Sequence, residues 1–382
     1  MSPHTQTSRE HVDPEGLLEY SVVFSDRSLN SMSGAFCEVM RDLSRLLKGL
    51  YRADSVAIVP GGGTYGMEAI ALQLAQGARC LVIRNGWFSY RWTQILERCQ
   101  ITEDVKVITA RQLRDEPQAP FAPPPLEEVI AHIERERPAV VFCPHVETSA
   151  GIILPNSYIS EVAEATHQAG GLLVLDCVAS GMSWVQMSAL GVDVLLTAPQ
   201  KGLSSTPCAA LVMMSARARA RIEESESRSF ANDLKRWVGI MERYEAGGHA
   251  YHATMPTDGL RQLRDTLLEA EGIGFERLSA AQAKLGAEVR ARLSAAGYPS
   301  VAAPGYEAPS VVVSFTDQPE MKSGARFAAH GVQIAAGVPL ECGEREDFMT
   351  FRVGLFGIDK LLNVEETLAR FEEALLKMSD AQ

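Results

Sequence analysis

The sequence predicts an α/β protein built on a seven-stranded, mainly parallel sheet, followed by a smaller C-terminal α+β portion. Three observations carry this expectation. Seven short apolar, β-branched runs alternate with helical patterns between residues 55 and 214. The runs are apolar throughout rather than alternating, as strands covered on both faces must be. A chain of 382 residues with 46% hydrophobic content is long enough for a large domain and a smaller one, each with a core.

The elements follow in order. The opening stretch "MSPHTQTSREHVDPEG" is polar and lacks the apolar core of a secretory signal, so residues 1–20 read as an extension ahead of a large domain over 21–272. "SVAIV" (55–59) is the first strand, and "PGGGTYGMEA" (60–69) opens a helix with Met67, Ile70, Ala71 and Leu74 on one face, which Gly77 should close. "RCLVIR" (79–84), "DVKVIT" (104–109), "AVVFCP" (139–144), "GLLVLD" (171–176), "VDVLLT" (192–197) and "AALVMM" (209–214) supply the other six strands. Only the 11 residues 198–208 join the last two. A parallel crossover needs about a dozen or more, so that pair is expected to be antiparallel, with Lys201 on the loop between them. From Asp258 to Ala296 the pattern is strongly helical with a break near Gly272–Gly274. A small domain over 273–382 then carries "SVVVSF", "FRVGLF" and a last helix "VEETLARFEEALLKM".

Composition excludes several classes. A formal charge of −12 and a pI near 5.3 oppose a nucleic-acid or membrane-surface role, which requires basic patches. Seven cysteines, odd in number and scattered without a CxxC pair, suggest neither a disulfide framework nor a metal site and fit a reducing cytoplasm. No apolar run approaches the ~18 residues of a membrane helix.

Three features carry chemistry. The glycine loop lets an anion approach backbone amides at a helix start, with Thr64 adding a hydroxyl; it is neither a Walker loop nor a dinucleotide fingerprint, and a close-packing turn explains the glycines equally well. Asp176 ends an apolar strand, where open α/β sheets place ligands, although a cap or turn residue would look the same. Lys201 ends another: desolvated, it is a nucleophile toward carbonyls, and solvated it is a surface residue. Together, a phosphate cradle, a carboxylate and a nucleophilic amine are the parts that hold pyridoxal 5'-phosphate, with Lys201 forming the Schiff base and Asp176 keeping the pyridine nitrogen protonated.

From about residue 50 onward the chain resembles class V, fold-type I aminotransferases, and especially the alanine-glyoxylate/serine-pyruvate group. The resemblance implies phosphate contacts from Gly62, Gly63 and Thr64 in "PGGGTYGMEA". It implies a cofactor-stacking Phe88 in "RNGWFSYR", and a hydroxyl on the ring oxygen from "HVETSAG", Ser149 first and Thr148 second. In "DCVASG" it implies Asp176 with Val178 on the opposite ring face, and in "PQKG" Gln200 and Lys201. In "AYHATMP" it implies that Tyr251 and Thr254 reach a partner's cofactor phosphate, hence an obligate homodimer. In "FRVGLFG", Arg352 would grip the substrate α-carboxylate. His145 reads as a structural histidine. Near the amino end the group's GPGP-like stretch is replaced by "YSVVFSDRSLNSMSG" (20–34), where Ser28, Asn30 or Ser31 are candidates to line the substrate pocket.

The expected activity is transfer of an amino group from a small amino acid such as alanine or serine to glyoxylate or pyruvate. The alternative is a cysteine desulfurase or β-eliminating lyase of the same fold, with Cys342 in "LECGER" as its thiol. A non-catalytic cofactor-binding regulator is a third reading, which the absence of a basic DNA-binding segment disfavours.

Overall fold

The computed structural model describes residues 12–17, 20–21 and 27–379. The seven apolar runs become strands β1 (Ser55–Pro60), β2 (Cys80–Arg84), β3 (Val105–Thr109), β4 (Val140–Pro144), β5 (Leu172–Asp176), β6 (Val194–Thr197) and β7 (Ala209–Met214). They form one sheet in the order β1-β7-β6-β5-β4-β2-β3. From β3 across to β6 all neighbours are parallel. Strand β7 runs antiparallel to both β6 and β1, and Met214 stands opposite Val194 on one side and Ser55 on the other. The short 198–208 connection thus does what its length dictates. The strands are buried except β3, one of the two edge strands, where Lys106 is exposed.

Helices α1 (Gly34–Tyr51), α2 (Gly63–Leu74), α3 (Trp87–Arg98), α4 (Leu126–Glu136), α5 (Asn156–Gln168), α6 (Ala216–Glu224), α7 (Leu234–Glu245) and α8 (Thr257–Ile273) surround this sheet. Ser33 caps α1 by accepting from the Phe36 N–H at 3.1 Å. Helix α2 ends at Leu74, and Gly77 instead serves the turn that leads into β2, at φ +64°. The expected break falls at Gly274, whose φ of +102° separates α8 from α9 (Phe275–Ala295).

Beyond it, strands β8 (Val311–Phe315), β9 (Ala335–Ala336) and β10 (Thr350–Gly354) make an antiparallel sheet ordered β8-β10-β9, backed by the terminal helix α10 (Val364–Ser379). Its apolar side, with Val312, Phe351 and Val353, joins Leu285, Phe327 and Leu368 in a cluster separate from the large-sheet core. A third cluster around Phe121, Ile152, Val313 and Phe315 packs where the two sheets' surroundings meet. Among the described residues no helix is long and apolar enough to cross a membrane.

This topology gathers the carboxyl ends of β2, β4, β5 and β6 along one edge, with Asn85–Gly86, His145–Ser149, Asp176 and the Lys201 loop leaving them in turn. In parallel sheets that edge is where ligands bind.

Candidate active site around Lys201

Lys201 lies in a tight turn in which the Ser204 N–H donates to its carbonyl at 3.1 Å and the Ser205 N–H to that of Pro199 at 3.0 Å. Its Nζ is 5.3 Å from the Phe88 ring centre and 5.8 Å from that of Phe356. Burial lowers the ammonium's pKa, Asp176 opposes that shift, and the charge of Arg352 adds to it. An amine so placed is more readily neutral, hence nucleophilic, than a solvated lysine.

Asp176 ends β5, in register with Leu196 of β6 and Pro144 of β4. Burial pushes its carboxyl up to about 6, with the charge of Glu147 adding and the Val178 N–H, which donates to Oδ1 at 2.9 Å, opposing. A buried carboxylate raised in this way favours a cationic partner.

The glycine loop runs from β1 into α2, with Gly62 at the N-cap position. The first-turn amides of Gly63 and Thr64 have no acceptor among the described residues, and the first turn holds no acid. Gly63 is required: a Cβ there would stand 2.8 Å from Val178 Cγ2. The side-chain amide of Gln200 hangs over Gly62, its Nε2 4.0 Å from where a Cβ would be. Gly62, Gly63, Thr64, Val178 and Gln200 are therefore close neighbours.

Phe88 opens α3, and three cations surround its ring: Lys201, Arg91 at 5.4 Å and Arg352 at 5.6 Å. Arg352, on β10, donates from Nε to the Ala336 carbonyl at 2.8 Å, which leaves its two outer nitrogens without a partner among the described residues. The small sheet thus delivers a guanidinium to the edge of the large one.

The seat of α3 is a fully buried carboxylate that the sequence reading passed over. Glu147 Oε1 accepts from the Phe88 and Ser149 amides at 3.2 and 3.1 Å and from the Ser149 hydroxyl at 2.7 Å. Its Oε2 accepts from the Ser89 amide and hydroxyl at 2.9 and 2.7 Å. An acid at a helix start is favoured by the dipole, and five donors satisfy it. The signal was present, an acid among hydroxyl residues just past an apolar strand, yet "HVETSAG" draws attention to its hydroxyls. Arg91 was passed over likewise, although it lies three residues from Phe88 and therefore on the same helix face.

Some candidates fall elsewhere. Ser149 is fully buried and its Oγ is engaged at both ends, accepting from the Trp87 N–H at 2.9 Å and donating to Glu147. The Ser149 hydroxyl thus already has one donor and one acceptor, whereas the Thr148 hydroxyl, the second choice for the ring-oxygen contact, has no hydrogen-bond partner among the described residues. Tyr251 and Thr254 are exposed and touch none of these groups; Tyr251 lines an open hollow with Phe230 and His252. Of the 20–34 stretch, residues 22–26 lie outside the described residues. Asn30 accepts from the Met32 N–H at 2.8 Å, the Ser31 carbonyl accepts from Tyr244 Oη at 2.7 Å, and Ser28 is half-buried. His145 is buried with Nδ1 2.7 Å from Ser180 Oγ and is pushed down to about 4 by burial, the structural histidine expected.

Cys342 does not behave as a desulfurase thiol. Its Sγ donates to the carbonyls of Arg84 and Leu340 at 3.5 and 3.6 Å, and burial raises its pKa, so it is held as a protonated thiol.

A family model described as aminotransferase class-V matches residues 17–343. The chain belongs to that family. It is 26% identical over 353 residues to alanine–glyoxylate aminotransferase 1 of Saccharomyces cerevisiae, covering 87% of this chain and 86% of that one. It is 29% identical over 246 residues to L-aspartate–glyoxylate aminotransferase of Paracoccus denitrificans, covering 63% and 58%. The crystal structure of an alanine–glyoxylate aminotransferase from Nostoc sp. superposes with a TM-score of 0.76 at 24% identity, covering 92% of this chain and 89% of that chain. This class-V aminotransferase is a transaminase that uses pyridoxal 5'-phosphate, and its sheet is that of fold-type I enzymes. The residues fit the cofactor: unpaired amides beside glycines, an aromatic face, a half-buried amine and a buried carboxylate occupy one edge.

Proposed function

We propose that this aminotransferase moves an amino group from a small amino acid, such as alanine or serine, to a small 2-oxo acid such as glyoxylate or pyruvate. The observation that carries the reading is the convergence of Lys201 and Arg352 on the ring of Phe88, with Asp176 buried close enough to act on Lys201 electrostatically. Support for the acceptor comes from the relatives, whose names carry glyoxylate with either alanine or aspartate as donor.

In this reading Gly62, Gly63, Thr64 and Gln200 hold the cofactor phosphate, Phe88 and Val178 hold the two ring faces, and Thr148 replaces Ser149 beside the ring oxygen. When bound, pyridoxal 5'-phosphate supplies the electron sink for the charge left when the substrate Cα–H bond breaks. Asp176 holds a proton at the ring nitrogen. Arg352 fixes the α-carboxylate through a bidentate pair and so points Cα–H at Lys201, whose neutral Nζ takes the proton and returns it.

The same proposal includes a large domain over 21–272 and a small one over 273–382, a cytoplasmic setting, and a homodimer in which Tyr251 and Thr254 complete the partner's phosphate site. The unpaired state of all seven cysteines agrees with a reducing compartment. Single-turnover assays against a panel of amino donors, followed by glyoxylate or pyruvate, test the substrate reading. Turnover with a small donor and oxo acid is expected. Sulfide release from cysteine that depends on Cys342, with no amino transfer to any small oxo acid, would overturn it.

A further inference from the structure

Arg91 has no part in the mechanism above. It stands one turn along α3 from Phe88, on the same helix face, with its guanidinium 5.4 Å from the ring centre. Its Nη1 donates to Thr64 Oγ1 at 2.9 Å, across the gap between α3 and the first turn of α2. Eleven arginines make ion pairs with carboxylates among the described residues, and Arg91 is not one of them. With Lys201 and Arg352 it makes three cations around one ring, against the two buried carboxylates Asp176 and Glu147.

The chemistry of Thr64 narrows what this means. A hydroxyl has one proton and two lone pairs. When one lone pair accepts from Arg91, the proton is left to donate elsewhere, and no acceptor for it exists among the described residues. Beside it the Gly63 and Thr64 amides are also unpaired. A donor hydroxyl, two free amides at a helix start and a guanidinium held to the hydroxyl make one oxyanion cradle with a fixed charge behind it.

We infer that Arg91 is a positioning residue for the cofactor phosphate: it orients the Thr64 hydroxyl as a donor and sets a permanent positive charge beside the Gly62–Thr64 turn. This rests on the reading in which that turn holds the phosphate. Because Arg91 acts on the phosphate and not on the ring, its loss separates two aldehydes that share the ring, pyridoxal 5'-phosphate and pyridoxal.

The test titrates both aldehydes into the full-length apoprotein, followed by absorbance, for wild type, Arg91→Met, Arg91→Lys, Thr64→Val and the Arg91→Met/Thr64→Val double variant. Arg91→Met should bind pyridoxal 5'-phosphate roughly 10- to 100-fold more weakly, as loss of a hydrogen bond to a charged group predicts, while its pyridoxal affinity stays at the wild-type level. Arg91→Lys should recover part of the loss. The double variant should lose less than the sum of the two single losses, because the arginine acts through the hydroxyl. Equal weakening toward both aldehydes would show that Arg91 supports the whole site and would overturn the inference. So would unchanged cofactor binding accompanied by a raised KM for a dicarboxylic donor, which would make Arg91 a substrate residue. Near-ultraviolet circular dichroism identifies a variant that fails to fold, in which case Arg91→Lys and Thr64→Val carry the comparison. Wild-type protein that takes up no pyridoxal 5'-phosphate would instead defeat the functional reading, an outcome distinct from normal uptake that Arg91→Met leaves intact.

Discussion

Arg352 shows how single side chains are placed for work. One hydrogen bond from Nε to the Ala336 carbonyl holds the guanidinium, burial disfavours its charge, and the outer nitrogens stay unpaired. Arg352→Ala should lower kcat/KM by about 2–4 kcal/mol of transition-state stabilisation, because it leaves a substrate carboxylate unpaired in a partly desolvated site. Cofactor uptake should not change; steady-state kinetics with unaltered kcat/KM would refute the role. Asp176 yields a pH prediction. In the cofactor-free chain its carboxyl is raised from 3.8 to about 6. Its contribution to stability is therefore present below about 4 and lost as pH rises through 6. His145 runs the other way: pushed from 6.5 to about 4, its contribution is present above 6.5 and lost as pH falls through 4. Subtraction removes the histidine. Between pH 4 and pH 7, apo Asp176→Asn should gain up to about 3 kcal/mol relative to apo wild type in urea denaturation. A pH-independent difference would mean that Asp176 ionises normally.

At the scale of elements, α3 is the piece whose seating matters most, because it carries both Phe88 and Arg91. Glu147 anchors its first turn through both carboxylate oxygens. Glu147→Gln replaces one acceptor oxygen by an NH2 group, so the donors on that side face another donor in a fully buried place. The cost should be about 3 kcal/mol or more, read as a lower melting temperature, together with weaker cofactor binding as Phe88 shifts. A variant with wild-type melting and binding would remove Glu147 from the account. Gly86 belongs to the same seat, since a Cβ there would meet Ser149 Oγ at 2.1 Å. Gly86→Ala should reproduce the loss by steric means. These roles were not readable in the chain, because an acid and a glycine 61 positions apart acquire a shared function only once β2 and β4 lie side by side.

For the molecule as a whole, Tyr251 and Thr254 are exposed, away from the groups around Lys201. If each completes a neighbour's site, Lys201→Ala and Tyr251→Ala protomers are inactive alone and complement each other in mixed dimers. On random mixing half the dimers are mixed and each has one complete site of two, so about a quarter of wild-type activity should return. A fully active monomer in sedimentation experiments would exclude the shared site.

By itself the sequence determined the seven strands and the sense of the last pair, since continuous apolar runs and an 11-residue connection too short for a parallel crossover are local properties. It also determined the glycine turn and the position of Lys201 after a strand, and with them the cofactor. Only the tertiary structure decided which side chains share a site. Phe88, Arg91, Lys201 and Arg352 come from α3, the loop after β6 and a strand of the other sheet, and they meet through sheet order and the packing of the small sheet. Their spacing along the chain holds no record of that meeting. Ser149 follows in part: its hydroxyl looked available in the chain, and the approach of α3 brought the Trp87 N–H onto it, while Glu147, two residues earlier, accepts its proton.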